Sequence, residues 1–141
     1  MQAETEEQLR PEAQVRHNPQ KPARLKKPRE FQRVRQEGRS IGTGLLALGW
    51  APNGLAWCRC GYTVGKRIGG AVIRNRVKRR LREIIRLYIK AGQVAPGYDL
   101  VFIARTGAAQ ATYQELATDV MHLLQRAHLW RAASPEGFVP S

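Results

Sequence analysis

The chain has 141 residues, enough for one domain of ordinary size with short tails, and carries a formal charge of +13 with a pI near 10.9. Between positions 21 and 90 there are 19 Lys or Arg against three acids, an imbalance that a merely solubilising surface does not need and that favours nucleic acid as partner. No segment reaches the roughly 18 apolar residues of a membrane span, and the acidic start lacks the apolar core of a secretion signal, so we expect a cytoplasmic protein without a membrane partner.

Both ends of the chain are predicted to be disordered. Residues 1–22 are polar, contain three prolines and show no apolar period, and residues 132–141 contain two prolines and a glycine. Between these tails we expect one folded domain over residues 23–131.

The first half of this domain predicts a helix followed by strands. Residues 28–38 are opened by a proline and closed by a glycine, as in a short helix. Residues 40–50 indicate a strand, with a short extra strand expected around 39–42. An Asn-Gly pair typical of hairpins separates this strand from a second one over residues 55–64. We therefore expect the two long strands to form an antiparallel hairpin.

Cys58 and Cys60 lie within the second strand as Cys-x-Cys. Alternation in a strand places both on one face, and the spacing does not fit the Cys-x-x-Cys pattern of metal or redox sites. Two small buried side chains are the favoured interpretation.

A basic, glycine-rich connection, Gly-Lys-Arg-Ile-Gly-Gly, occupies residues 65–70. It does not match the spacing of a phosphate-binding P-loop. The glycines indicate either a tight turn or a close approach of the backbone to RNA.

The residues that follow predict a helix over about 71–91, with two chemically different faces. At about 100° per residue, one side carries an apolar stripe suited to docking on a core, made of Val77, Leu81, Ile84 and Tyr88. The opposite side carries Asn75, Lys78, Arg79, Arg82 and Arg86. Guanidinium groups remain charged and donate paired hydrogen bonds to phosphate, so this face predicts binding to a polyanion.

The last third of the domain predicts a strand and a helix. Residues 98–105 form an apolar run typical of a strand. Thr112 with Glu115 predicts a capping box, followed by an apolar stripe of Leu116, Val120, Leu123 and Ala127. The predicted order is α, β, β, α, β, α, an α+β fold in which helices cover a small sheet.

Catalytic constellations are missing from the basic half of the sequence. Residues 21–90 contain no His, and the three acids stand singly. No paired carboxylates and no Ser/His/Asp arrangement can be assigned, so the sequence assigns no catalytic side chain and no set of metal ligands, and whether metal ions contact the protein stays open.

Residues 65–83 resemble the signature of the bacterial ribonuclease P protein family. That family carries a basic, glycine-containing turn followed by Ala-Val-x-Arg-Asn-Arg-x-Lys-Arg-x-x-Arg, and residues 71–82 match all of it. The similarity extends over about residues 24–130, through the first helix at Phe31, Val34 and Gly38 and through the last strand at Asp99 to Arg105.

The resemblance implies a fold and a function. The fold would be a small, mostly antiparallel α+β sandwich like a domain of ribosomal protein S5, with a left-handed βαβ crossover. The protein would be a subunit of the endoribonuclease that removes the 5′ leader of precursor tRNA. The catalytic RNA and its Mg²⁺ ions would carry the hydrolysis, with one protein per RNA subunit.

The resemblance also implies two RNA-binding surfaces. The motif residues that would bind the RNA subunit are Arg74, Asn75, Arg76, Lys78, Arg79 and Arg82. A cleft between the first helix and the sheet would bind the single-stranded leader through Phe31, Arg35, Lys66 and Arg67. Two aromatic positions of the family's cleft are occupied here by Arg35 and Gly49, and Trp50 points to the other face by alternation.

Two alternatives share the basic helix but not the activity. One is a non-enzymatic RNA-binding module, such as a ribosomal or RNA-chaperone protein. The other is a DNA-binding protein that places the helix in the major groove. The non-enzymatic module would bind RNA without any effect on the 5′ processing of tRNA. The DNA-binding protein would prefer duplex DNA over folded RNA in competition.

Overall fold

A computed structural model describes residues 23–132. The helices are α1 (Pro28–Glu37), α2 (Ala71–Lys90) and α3 (Tyr113–Arg126). The strands are β1 (Ala23–Arg24), β2 (Arg39–Gly42), β3 (Leu46–Pro52), β4 (Arg59–Thr63) and β5 (Tyr98–Ala104), and short 3₁₀ turns span Lys66–Ile68 and Thr106–Ala109. The predictions for tails 1–22 and 132–141 fall on residues that, apart from position 132, lie outside the described part.

Five strands form one mixed sheet in the order β1-β4-β5-β3-β2. The longest ladder, between β3 and β5, is antiparallel, as is the β2–β3 pair, whereas β4 is parallel to both β5 and β1. The predicted α+β class is confirmed. The parallel strands β4 and β5 are neighbours joined through α2, which is the predicted βαβ crossover, and its handedness stays a prediction.

The predicted antiparallel hairpin of residues 40–50 with 55–64 is wrong, because β5 lies between β3 and β4. The turn itself is present, with Gly54 at φ +72°. Asn53 directs the chain away from β3, however, since its amide donates to Asp99 Oδ1 at 2.9 Å and to the Trp57 carbonyl at 3.2 Å. A local turn signal therefore identified a reversal but not the strand that pairs with it.

A hairpin does form one strand earlier. The Thr43 hydroxyl accepts from the amides of Leu45 and Leu46, both at 3.2 Å, and closes a turn. The expected single strand 40–50 is thereby split into β2 and β3, which pair from Arg39↔Trp50 to Gly42↔Ala47. The short extra strand predicted around 39–42 is confirmed.

The main core lies between the sheet and the helices α2 and α3. Strand alternation sends Leu46, Leu48, Leu100 and Phe102 into it, where they meet the apolar stripes of both helices. The stripe residues Val77, Leu81 and Ile84 are buried as predicted, together with Leu116, Val120 and Leu123. Cys58 and Cys60 are free thiols buried in the same core, and burial raises the pKa of both thiols.

The opposite face of the sheet carries only α1 and a small apolar cluster. Its buried members are Leu25, Val34, Ala51 and Val101, with Phe31 packed against them. Because α1 is short and buries a single side chain, Val34, it covers only part of this face. No helix of the described chain is long and apolar enough to cross a membrane.

Candidate nucleic-acid interface

The outward side of α2 carries a row of donors that are free for a partner. Asn75, Arg79 and Arg82 are exposed and Lys78 is half-buried. Within residues 23–132 none of these four side chains makes a hydrogen bond or an ion pair. We call these four residues the docking row.

The other arginines of α2 are partly engaged by the protein itself. Arg74 Nε donates to the Gly69 carbonyl at 3.1 Å, Arg76 Nη2 to the Ala109 carbonyl at 3.3 Å, and Arg80 Nη1 to the Ala111 carbonyl at 3.0 Å. All three are half-buried, and within the described chain Arg76 Nε is buried without a partner. The predicted RNA-binding residues Arg74 and Arg76 therefore offer fewer free donors than the docking row.

A notch opens at the end of the docking row. It has a volume of about 380 Å³ and is lined by Arg79, Arg80, Arg82, Glu83, Arg86 and Tyr113. The Glu83 carboxylate accepts two hydrogen bonds from Arg86, at 3.2 and 2.9 Å. These bonds lower the pKa of the exposed Glu83 carboxyl. Arg86 is thus paired with an acid of its own helix, while Arg79 and Arg82 are not.

On the α1 side, the sheet presents three rows of residues. The strand register places Ala51, Asp99 and Arg59 side by side, then Gly49, Val101 and Gly61, then Ala47, Ile103 and Thr63. Helix α1 lies over the first two rows. The third row is open, with Ile103 38% exposed.

The two glycines of the second row allow α1 to approach the sheet. A Cβ on Gly61 would lie 2.5 Å from Phe31 Cε2, and a Cβ on Gly49 would lie 3.4 Å from Val34 Cγ1. The Phe31 ring therefore rests directly on Gly61, packing against the sheet from the edge of the cleft.

Between α1, β2 and the open third row lies a cleft of about 500 Å³. Its walls include the predicted residues Phe31 and Arg35, and Gly49 is part of its floor. Trp50 packs against the main core instead, so the prediction that it faces away from the cleft is confirmed. Lys66 and Arg67 do not line the cleft but lie exposed in the 3₁₀ turn shortly after the cleft residue Thr63.

The cleft residues that sequence reasoning missed include Arg39, Ile103 and Arg105. Arg105 is fixed at the cleft by a hydrogen bond from Nη1 to the Thr43 carbonyl at 2.7 Å. Its guanidinium lies over Gly42, where a Cβ would come within 2.7 Å of Nη2. Alternation along β5 could have placed Ile103 on the face of Val101, but the partner strands of β5 could not be read from the sequence.

The sequence placed Asp99 in the last strand but gave no indication that it is the only buried charged residue of the described chain. Its carboxylate accepts from Arg59 Nε at 2.9 Å and Nη2 at 2.8 Å, from Arg33 Nη2 at 2.8 Å and from Asn53 Nδ2 at 2.9 Å. Burial would raise the pKa of this carboxyl, but hydrogen bonds from Arg59, Asn53 and Arg33 outweigh burial and leave the pKa below its usual value. We call these four residues the Asp99 cluster.

The described residues contain no group of three or more His, Cys, Asp or Glu that could hold a metal ion. The docking row instead offers guanidinium, ammonium and amide donors, and the cleft offers the guanidinium groups of Arg35, Arg39 and Arg105. Such surfaces suit phosphates and repel divalent cations.

Comparison with known proteins finds relatives that cover most of the chain. The family model described as Ribonuclease P matches residues 20–128. The ribonuclease P protein component of Roseiflexus castenholzii is 48% identical over 114 residues, covering 80% of this chain and 92% of that protein. That of Alkaliphilus metalliredigens is 39% identical over 106 residues, covering 75% and 94%.

Solved structures give the same result. The RNase P protein of Staphylococcus aureus superposes with a TM-score of 0.70 at 28% identity, covering 77% of this chain and 97% of that one. The RNase P protein of Thermotoga maritima superposes with a TM-score of 0.67 at 29% identity, covering 73% and 96%. The likeness thus extends over nearly the whole of each solved chain.

Proposed function

Because this chain belongs to the bacterial ribonuclease P protein family, we propose that its two basic surfaces bind two different RNAs. The protein is a subunit of the endoribonuclease that generates the mature 5′ end of tRNA, and it associates with the ribonuclease P RNA. Hydrolysis of the phosphodiester bond belongs to that RNA. The protein's own part is binding, and its two surfaces divide that task.

The first surface is the docking row, which binds the catalytic RNA. The observation that carries this proposal is that Asn75, Lys78, Arg79 and Arg82 are free of partners in the described chain, while neighbouring arginines are engaged. A-form RNA is recognised largely through shape and phosphates, which suits a helix that presents guanidinium groups in a row. Arg74 and Arg76 add contacts through the donors that Gly69 and Ala109 leave free.

The second surface is the cleft, which binds the 5′ leader of precursor tRNA. Single strands are held by basic grooves with stacking platforms. Here the ring of Phe31, the exposed Ile103 and the glycine floor give an apolar bed, and Arg35, Arg39 and Arg105 surround it with positive charge. Lys66 and Arg67 extend that charge beyond the end of β4.

An arginine replaces one of the family's cleft aromatics. Arg35 is exposed on α1 and can stack on a base through its guanidinium plane while contacting phosphate. Gly49, at the other aromatic position, leaves depth in the floor. We therefore expect leader binding to depend more on phosphate contacts, and to be more sensitive to salt, than in a cleft lined by aromatics.

The finer assignments extend this proposal. We place the Mg²⁺ ions mainly on the RNA subunit, because both protein surfaces are cationic. We expect one protein per RNA, cytoplasmic action, and a functional domain over residues 23–131 that does not need tails 1–22 and 132–141.

Reconstitution tests the proposal. Purified protein should increase cleavage of precursor tRNA by a bacterial ribonuclease P RNA at low Mg²⁺, relative to the RNA alone, and the fragment 23–131 should do the same. Tight RNA binding without any change in 5′ processing would favour the non-enzymatic binding module. Preference for duplex DNA over folded RNA at matched salt would favour DNA binding.

A further inference from the structure

In the Asp99 cluster, hydrogen bonds occupy all the acceptor positions of the carboxylate. Each carboxylate oxygen accepts two hydrogen bonds, Oδ1 from Asn53 and Arg59, and Oδ2 from Arg33 and Arg59. An ionised carboxylate has about four acceptor positions, so the group is saturated. A saturated, buried carboxylate fixes the direction of each of its donors.

Only one of those donors lies on α1. Arg33 reaches down from the middle of the helix, and besides Asp99 it donates to the Pro52 carbonyl at 3.2 Å. Near the start of α1, Glu30 accepts from Arg59 at 3.4 Å. Hydrogen bonds thus hold α1 to the end of the sheet at which β3 ends and β4 and β5 begin.

Apolar packing alone holds α1 weakly. Val34 is its only buried side chain, and Phe31 is half-buried beside it. Burial of two side chains is not directional, so it does not set the angle of the helix over the sheet. Directional hydrogen bonds at the first row of the sheet can set that angle.

The tie and the cleft lie at opposite ends of the same face. Asp99 is in the first row, the contacts of Val34 and Phe31 are in the second, and the open floor around Ile103 is the third. A helix fixed at the first row projects over the second and forms one wall of the cleft. Small rotations about the tie therefore change the cleft width at Phe31 and Arg35.

We propose that Asp99, with Arg33 and Arg59, is a positioning clamp that sets the angle of α1 and thereby the affinity of the cleft for the leader. The proposal rests on leader binding by the cleft, as proposed above. Asp99 itself touches no leader, since its oxygens are filled and it is fully buried.

The test uses the holoenzyme reconstituted with the RNA subunit, and compares affinity for precursor tRNA with affinity for mature tRNA. Arg33→Ala should reduce the preference for precursor roughly tenfold, because a misplaced wall weakens leader contacts without touching the rest of the tRNA. Arg33→Lys should recover part of the preference, since an ammonium can still donate to Asp99. Affinity of the protein for the RNA subunit should be unchanged in both variants.

Two controls separate positioning from lost charge and from lost stability. Arg29→Ala removes an exposed arginine from the same helix and should leave the preference for precursor intact. Val120→Ala loosens the main core far from α1, and at an equal fall in unfolding temperature it should also leave the preference intact.

The outcomes are distinct. A preserved preference in Arg33→Ala, or an equal loss in Val120→Ala, would overturn the clamp while leaving leader binding in place. If the wild-type holoenzyme does not prefer precursor over mature tRNA, the proposed role of the cleft fails first, and the clamp fails with it.

Discussion

The docking row and the Asp99 cluster both contain arginines, but they use the guanidinium groups for opposite purposes. In the docking row, Arg79 and Arg82 are exposed and have no partner within residues 23–132. In the Asp99 cluster, the Arg33 and Arg59 side chains are only 31% and 28% exposed, and both bond the same buried carboxylate. Arginine content does not distinguish these two regions, because each contains two arginines.

What separates them is whether the fold supplies an acceptor. A guanidinium that bonds a carboxylate of its own chain stabilises the fold and has few donors left for RNA. A guanidinium without such an acceptor keeps its donors for phosphate. The comparison predicts that changes in the Asp99 cluster alter stability, whereas changes in the docking row alter RNA binding alone.

The largest expected effect is on stability, from Asp99→Asn. Two arginines would lose their carboxylate partner, and breaking a buried ion pair costs about 3 kcal/mol of unfolding free energy, at the lower end of the usual range because water reaches both arginines. Urea unfolding monitored by circular dichroism measures it. Arg82→Gln in the docking row is the matched control and should change the unfolding free energy by less than about 0.5 kcal/mol. Equal effects of the two variants would contradict the comparison.

The second effect concerns how closely α1 approaches the sheet beside the Asp99 cluster. Gly61→Ala places a methyl group against the Phe31 ring and should cost about 1–3 kcal/mol through overpacking, together with part of the preference for precursor tRNA. Gly49→Ala meets Val34 at an ordinary contact distance and should be nearly neutral in stability. Unfolding midpoints of the two variants, measured side by side, check the difference. A neutral Gly61→Ala would mean that Phe31 does not rest on the sheet.

The third effect isolates the docking row. Arg79→Ala combined with Arg82→Ala should weaken binding to the RNA subunit about tenfold or more and reduce the salt slope by about 1 for each phosphate that the protein no longer neutralises. Lys26→Ala combined with Arg29→Ala removes the same charge from exposed positions near α1 and should leave that slope unchanged. Filter binding at several salt concentrations distinguishes the pairs. If both double variants weakened RNA binding to a similar degree, the docking row would contribute only through general charge.

How far the sequence predicts these regions depends on the range of the contacts. The docking row follows from a local period, so Val77 and Leu81 could be assigned to the core and Arg79 and Arg82 to the outside. Alternation likewise placed Trp50 opposite Gly49. These assignments need only neighbouring residues.

The Asp99 cluster could not be found in this way. Asp99 meets Arg33 across 66 positions and Arg59 across 40, and those meetings depend on β5 lying between β3 and β4. The Asn-Gly signal instead predicted a β3–β4 hairpin, which would have excluded β5 from that position. Strand order is decided by burial of the whole sheet. The clamp and the cleft floor at Ile103 therefore could not be predicted from the sequence.

The smallest effect is a dependence of stability on pH. Burial would raise the pKa of the Asp99 carboxyl, but hydrogen bonds from Arg59, Asn53 and Arg33 lower it below its usual value. A lowered native pKa contributes stability that is fully present above the unfolded value of about 3.9 and is lost as the pH falls through the native pKa. The wild-type unfolding free energy should therefore fall as the pH drops below about 4, and this part of the fall should be missing in Asp99→Asn. The pKa of Glu30 is also lowered, so Glu30→Gln serves to separate the two contributions. This variant should keep the part of the acid-induced fall in unfolding free energy that comes from Asp99. An Asp99→Asn variant with an unchanged acid slope would show that the carboxylate is not the charge that ties α1 to the sheet.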